Sequence, residues 1–97
     1  MKEYIYLIHP LRRAFFECPT PLEEQAMEAH FEYLKQATAD GVLVLAGPCL
    51  DETIGVVVIR AENDEVARTF MLNDPSVRSN VMMAELHPMK ISLMKGN

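Results

Sequence analysis

Long apolar runs are missing from these 97 residues. No stretch approaches the ~20 apolar residues that a membrane-spanning helix needs. The opening segment MKEYIYLIHP has a charge and then a short apolar run, too brief for the core of a secretory signal. Pro10-Leu11-Arg12-Arg13 follows it, where a small-residue cleavage site would stand. An unexported, cytoplasmic protein is therefore expected. Cysteine is scarce as well: Cys18 and Cys49 form no CxxC pair, so free thiols are expected rather than a disulfide framework. Basic charge is in deficit, with 9 Lys and Arg against 14 Asp and Glu and a net charge of −5. A nucleic-acid surface needs a basic face, which one adjacent pair, Arg12-Arg13, does not make. The three histidines, His9, His30 and His87, show no HxH or HxxxH spacing, so no metal site is indicated. No segment is of low complexity. At 49% hydrophobic and 24% charged residues the composition is that of a folded globular chain. One domain over 1–97 is expected. A chain this short buries a modest share of its surface, which favours association.

The order of elements follows from pattern. Glu3 to His9 is a run of β-formers closed by Pro10. Residues 10–19 read as a loop carrying Arg12, Arg13, Phe15 and Phe16. Thr20, Pro21 and Glu23 spell a capping box with proline at the first helical position. Met27, His30, Phe31, Leu34 and Ala37 or Thr38 then recur at helical spacing, until Gly41 stops the helix after Asp40. Val42–Ala46 and Val56–Arg60 read as strands of a hairpin around the turn region 47–55. Asn63 caps a second helix, with Asp64 and Glu65 in its first turn, and Asn73-Asp74-Pro75 ends it. After a short polar segment, Ser76 to Asn80, Val81–Met94 reads as a last strand whose Pro88 suggests an edge or a bulge. The resulting β-α-β-β-α-β order is the ferredoxin-like split βαβ, an α+β class with a four-stranded antiparallel sheet and two helices on one face.

These strands do not alternate between apolar and polar residues. Tyr4, Tyr6 and Ile8 share one face and Ile5 and Leu7 the other, while Val42–Leu45 and Val56–Ile59 are apolar throughout. Two helices cover one face only. An uncovered apolar face of that size is rare on a monomer, so pairing with a second copy is expected, as a homodimer or a larger homo-oligomer.

Few residues could carry chemistry. His30 in an apolar helical stripe reads either as a core histidine or as a general acid or base, since imidazole titrates near neutral pH. Asp74 reads either as a helix-end residue or as a carboxylate that orients an imidazole. Both lie on helices packed on one sheet face, so they can meet. Arg12 and Arg13 are candidates for holding an anionic substrate. His9, at the end of the first strand, and Cys49, after Gly47-Pro48, are further candidates for substrate contact. For Cys49 a packed small side chain is the plainer reading.

Three segments carry a family resemblance across nearly the whole chain: Ala29-His30-Phe31-Glu32-Tyr33-Leu34, Asp40-Gly41-Val42-Leu43-Val44-Leu45-Ala46-Gly47-Pro48, and Asn73-Asp74-Pro75. In this order and spacing the chain resembles the YciI-like, or YCII-related, proteins of the dimeric α/β-barrel superfamily. The resemblance implies a sheet-to-sheet dimer and a site centred on His30 and Asp74. A relative is a dehydrochlorinase acting on a chlorinated hydroxyhydroquinone, and the superfamily includes muconolactone isomerase. That implies proton transfer without a cofactor on a small cyclic or aromatic compound, a lyase- or isomerase-type activity. A non-catalytic small-molecule binding or accessory module is the alternative.

Overall fold

The computed structural model describes residues 1–96. Four strands form one antiparallel sheet in the order β2-β3-β1-β4: β1 Lys2–Pro10, β2 Leu43–Pro48, β3 Gly55–Ala61 and β4 Met82–Met89. Helices α1 (Pro21–Ala39), α2 (Asp64–Asn73) and the single turn α3 (Pro75–Arg78) pack on one side, giving the ferredoxin-like α+β arrangement. The signals at the helix ends act as their chemistry demands. Thr20 Oγ1 accepts from the Glu23 N–H, and Glu23 Oε1 accepts from the Thr20 N–H. Gly41 follows α1 at φ 78°, a left-handed conformation that costs glycine little. Asn63 accepts from the Val66 N–H at the start of α2.

Three expectations need correction. Ser76 to Asn80 is not merely a polar connection, because Pro75 starts a further helical turn there. Proline has a preset helical φ and no N–H to lose, so it ends α2 and opens α3 at once. The last strand stops at Met89 rather than Met94. Pro88 lies just before that end, in an edge strand. The second strand starts one residue late and runs on to Pro48, with a register shift between Leu43 and Leu45.

Register sorts the strand residues between two faces. Tyr4, Tyr6 and Ile8 lie beside Ile59, Val57 and Gly55 on the helix side. Tyr4, Tyr6, Val57, Ile59, Ala61, Ala67 and Met71 form the core there. Full burial of a side chain such as Ile59 contributes about 1.5–3 kcal/mol. Ile5, Leu7, Val56 and Val58 form the centre of the other face, with Leu45 and Met83 exposed beside them. Glu3 with Arg60 and Glu85 with His87 stand around this centre, the latter pair at 2.9 Å.

The 11–20 loop is tied to the start of α1. Arg12 Nε and Nη2 donate to the two Glu23 carboxylate oxygens at 2.8 and 2.7 Å, and Nη2 also donates to the Cys18 carbonyl at 2.6 Å. Hydrogen bonds from Arg12 and from the Thr20 N–H hold the Glu23 carboxyl down at about 2. A carboxyl lowered on folding stabilises the native state above its unfolded value, and that stabilisation is lost as pH falls through the lowered value. Acid should therefore loosen this clamp between about pH 4.5 and pH 2. We expect Glu23→Gln to lower the thermal midpoint at pH 7 and to flatten its decline over that window, measured by circular dichroism. An unchanged acid profile would show that the clamp contributes nothing.

Candidate functional site

The apolar stripe of α1 divides into two rows in the fold. Ala26, Leu34 and Ala37 are buried in the core. Met27, Phe31 and Lys35, at i, i+4 and i+8, form a separate ridge facing a cleft. Phe31 is therefore 63% exposed rather than core. Between α1 and β2 a space of about 640 Å³ stays open, within the ~300–1,000 Å³ usual for small-molecule sites. Phe15 and Phe16, packed edge to face with centroids 4.9 Å apart, stand in its wall together with Leu43, Ala46 and Val57.

His30 lies on the border between the two rows and joins core to cleft. Its Nδ1 lies 2.8 Å from both oxygens of Asp74. A carboxylate can only accept, so Nδ1 carries the proton and donates it. In the neutral ring this tautomer leaves the lone pair on Nε2, at the far corner, and His30 lines the cleft.

Asp74 is wholly buried. It caps α2 at one end and α3 at the other, and Pro75 holds it in an extended conformation, with ψ at 125°. Its oxygens accept from the Tyr6 hydroxyl at 2.7 Å, from the Ser76 N–H at 2.9 Å and from the Ser76 hydroxyl at 2.8 Å, besides His30. Burial alone raises its pKa. The hydrogen bond and charge of His30, the Tyr6 hydroxyl and the Ser76 N–H outweigh burial and hold the carboxyl below its usual range. Asp74 is thus a buried anion at neutral pH, an acceptor for the His30 Nδ1–H. Burial and the neighbouring Asp74 charge push the Tyr6 hydroxyl far up, so it stays a donor. The same causes push Tyr33 up to about 12.

Tyr6 and Ser76 act through Asp74, and single-residue reading missed both. Tyr6 looked like sheet packing, and Ser76 like an ordinary polar residue after Pro75. The signal for Ser76 was its position two residues after a helix-capping Asp, where its N–H meets the cap.

The other candidates are placed as follows. Cys49 is half-buried in the cleft lining, in the turn that follows β2. Arg12 is held by Glu23 and the Cys18 carbonyl, and neither it nor the exposed Arg13 lines the cleft. Their suggested part in holding an anion is not supported by their position. The fold turns Arg12 toward the helix cap, where two carboxylate oxygens match its planar fork. His9 pairs with Met83, among the residues of the face away from the helices, and His87 lies on that same face. Both are across the sheet from His30. Among the described residues no three His, Cys, Asp or Glu side chains are grouped to hold a metal ion. Among the same residues no helix is long and apolar enough to cross a membrane.

Comparison with known proteins agrees with this architecture. The family model of the YCII-related domain matches residues 4–90. No curated protein matches the chain in sequence. Among solved structures, the chain resembles the 5-chloro-2-hydroxyhydroquinone dehydrochlorinase of Burkholderia phenoliruptrix AC1100 in complex with 2,5-dihydroxybenzoquinone. The TM-score is 0.67 at 18% identity, covering 90% of this chain and 93% of that one. A likeness at that identity establishes a shared fold.

Proposed function

The chain belongs to the YCII-related family, and from that premise we propose that it is a cofactor-independent lyase- or isomerase-type enzyme acting on a small cyclic or aromatic compound. The observation that carries this reading is the contact of His30 Nδ1 with the buried Asp74 while the ring borders an apolar cleft. Nε2 takes a proton from an activated C–H or O–H of the substrate. The electron pair left behind either expels a leaving group such as chloride, forming a new double bond, or moves to another carbon. In the first case the imidazolium gives its proton to water as chloride departs, and in the second it returns the proton to that carbon. Asp74 stabilises the imidazolium and keeps the tautomer that leaves Nε2 free. The dry wall of Phe15, Phe16 and Met27 strengthens that electrostatic help.

The test is a panel of chlorinated hydroxyhydroquinones and unsaturated lactones, followed by chloride release and by ultraviolet absorbance. 5-Chloro-2-hydroxyhydroquinone, the compound for which the structural relative is named, comes first. Turnover that depends on His30 supports the proposal. Binding of panel compounds beside His30 with no conversion by any of them would make the cleft a binding module and overturn it.

We propose further that the face away from the helices pairs with the same face of a second copy. Ile5, Leu7, Val56 and Val58 supply its apolar centre. Leu7 lies beside Glu85 on β4, so Leu7→Lys places a cation next to an anion and leaves the separate chain tolerable. Sedimentation should show the parent at about twice 11.0 kDa or a higher multiple, and Leu7→Lys at 11.0 kDa. A parent that sediments as a monomer at micromolar concentration contradicts the pairing.

A further inference from the structure

Besides His30, two charged side chains line the cleft, Lys35 and Glu52, and the chain places them toward opposite ends of β2. Lys35 is near the C-terminal end of α1, where Ala37 accepts from the Val42 N–H just before β2 begins. Glu52 is in the turn after β2, a strand of six residues that spans roughly 17–20 Å. The rest of the lining is mainly apolar, so this pair polarises the cleft along its length.

Lys35 closes the Met27–Phe31–Lys35 ridge. Its ammonium lies 5.7 Å from the Phe31 ring centroid and 3.2 Å from Glu32 Oε2. Both members of that ion pair are well exposed, 62% and 66%, so the pairing is weak and readily exchanged for a partner inside the cleft. Lys35 stands five residues beyond His30, about 7.5 Å along the helix axis and about 140° around it, and its flexible stem, with the ammonium near the Phe31 ring, lines the same cleft that His30 borders. Arg12 is already committed to Glu23, and the exposed Arg13 does not line the cleft.

We infer that Lys35 is a specificity-determining residue: it receives a carboxylate or phenolate on a ring compound whose reacting end lies at His30 Nε2. The inference rests on the cleft being the substrate site, as proposed above. Glu52 disfavours an anion at the other end of the cleft, so the ligand enters in one orientation. Phe31 and the facing β2 residues then sandwich the ring, and Lys35 sets which end points to His30.

The test uses two probes of nearly equal shape, 4-hydroxybenzoate and 4-hydroxybenzamide, with the full chain and its Lys35→Met and Lys35→Arg variants. Binding is followed by amide and imidazole chemical shifts in NMR titrations. Benzoate should bind more tightly than benzamide and shift the Phe31, Lys35 and His30 signals. Lys35→Met should weaken benzoate about tenfold or more and leave benzamide within twofold, and Lys35→Arg should restore most of the loss. If both probes shift His30 but benzamide binds as well as benzoate, or Lys35→Met weakens both alike, Lys35 does not select the anion and the cleft reading stands. If neither probe shifts the cleft residues, Lys35 loses its role, while turnover in the compound panel decides the cleft separately.

Discussion

His30→Gln should lower turnover of a converted substrate by about 10² to 10⁴, the usual span of general acid–base help. Substrate affinity should change much less. Glutamine keeps a side-chain N–H that can reach Asp74 but has no basic nitrogen to present to the cleft. Asp74 also keeps its bonds from Tyr6 and Ser76, so the variant should remain folded. A far-ultraviolet spectrum and thermal midpoint close to those of the parent, beside a kcat reduced at least a hundredfold with KM within a few fold, is the expected pattern. Ser76→Ala supplies a graded comparison. It removes one hydrogen bond to Asp74, whose carboxylate remains held by three other donors, and should lower kcat only several-fold. A kcat for His30→Gln within threefold of the parent would falsify the role given to His30.

The second large effect is on stability. Asp74→Ala strands four buried donors: the Tyr6 hydroxyl, the Ser76 N–H and hydroxyl, and His30 Nδ1. Each buried group left without a partner costs about 1–3 kcal/mol. A protein of ordinary stability has about 5–15 kcal/mol in total. Water entering from the His30 side relieves some of the cost, so a loss of several kcal/mol is expected, enough to leave the variant partly unfolded at 37 °C. Asp74→Asn keeps the shape and one accepting oxygen, but its NH₂ faces groups that themselves donate, so an intermediate loss is expected. Urea denaturation at pH 7 ranks the three proteins. The same carboxylate carries a pH dependence. Its native pKa lies below the unfolded value, near 4. Its stabilisation is therefore present above about pH 4 and lost as pH falls through the lowered native value. A parent and an Asp74→Asn variant that unfold at the same urea concentration would show that the network contributes no net stability.

Some of this was written plainly in the residues. The Thr20-Pro21-Glu23 box, the glycine after Asp40 and the Asn63 cap each act through atoms within four positions of themselves, so local sequence suffices to recognise them. The β-α-β-β-α-β order follows from the same short-range signals. Other features were hidden. Met27, His30, Phe31 and Leu34 share one helical period, yet the fold divides them between core and cleft. Periodicity identifies the apolar side of a helix but not which part of that side a sheet edge leaves uncovered. Arg12 is the converse case. Its charge invited an anionic ligand, and the anion it found was Glu23, eleven residues along the chain.

Caps, turns and strand composition depend on near neighbours, so the residues alone marked the four strands and the two main helices, and the family resemblance singled out His30 and Asp74. Only the tertiary structure brought those two to 2.8 Å across 44 positions, set Tyr6 and Ser76 around the carboxylate, and opened the space between α1 and β2. Distances of that kind depend on how helices tilt on a sheet, and many weak packing contacts decide that tilt together.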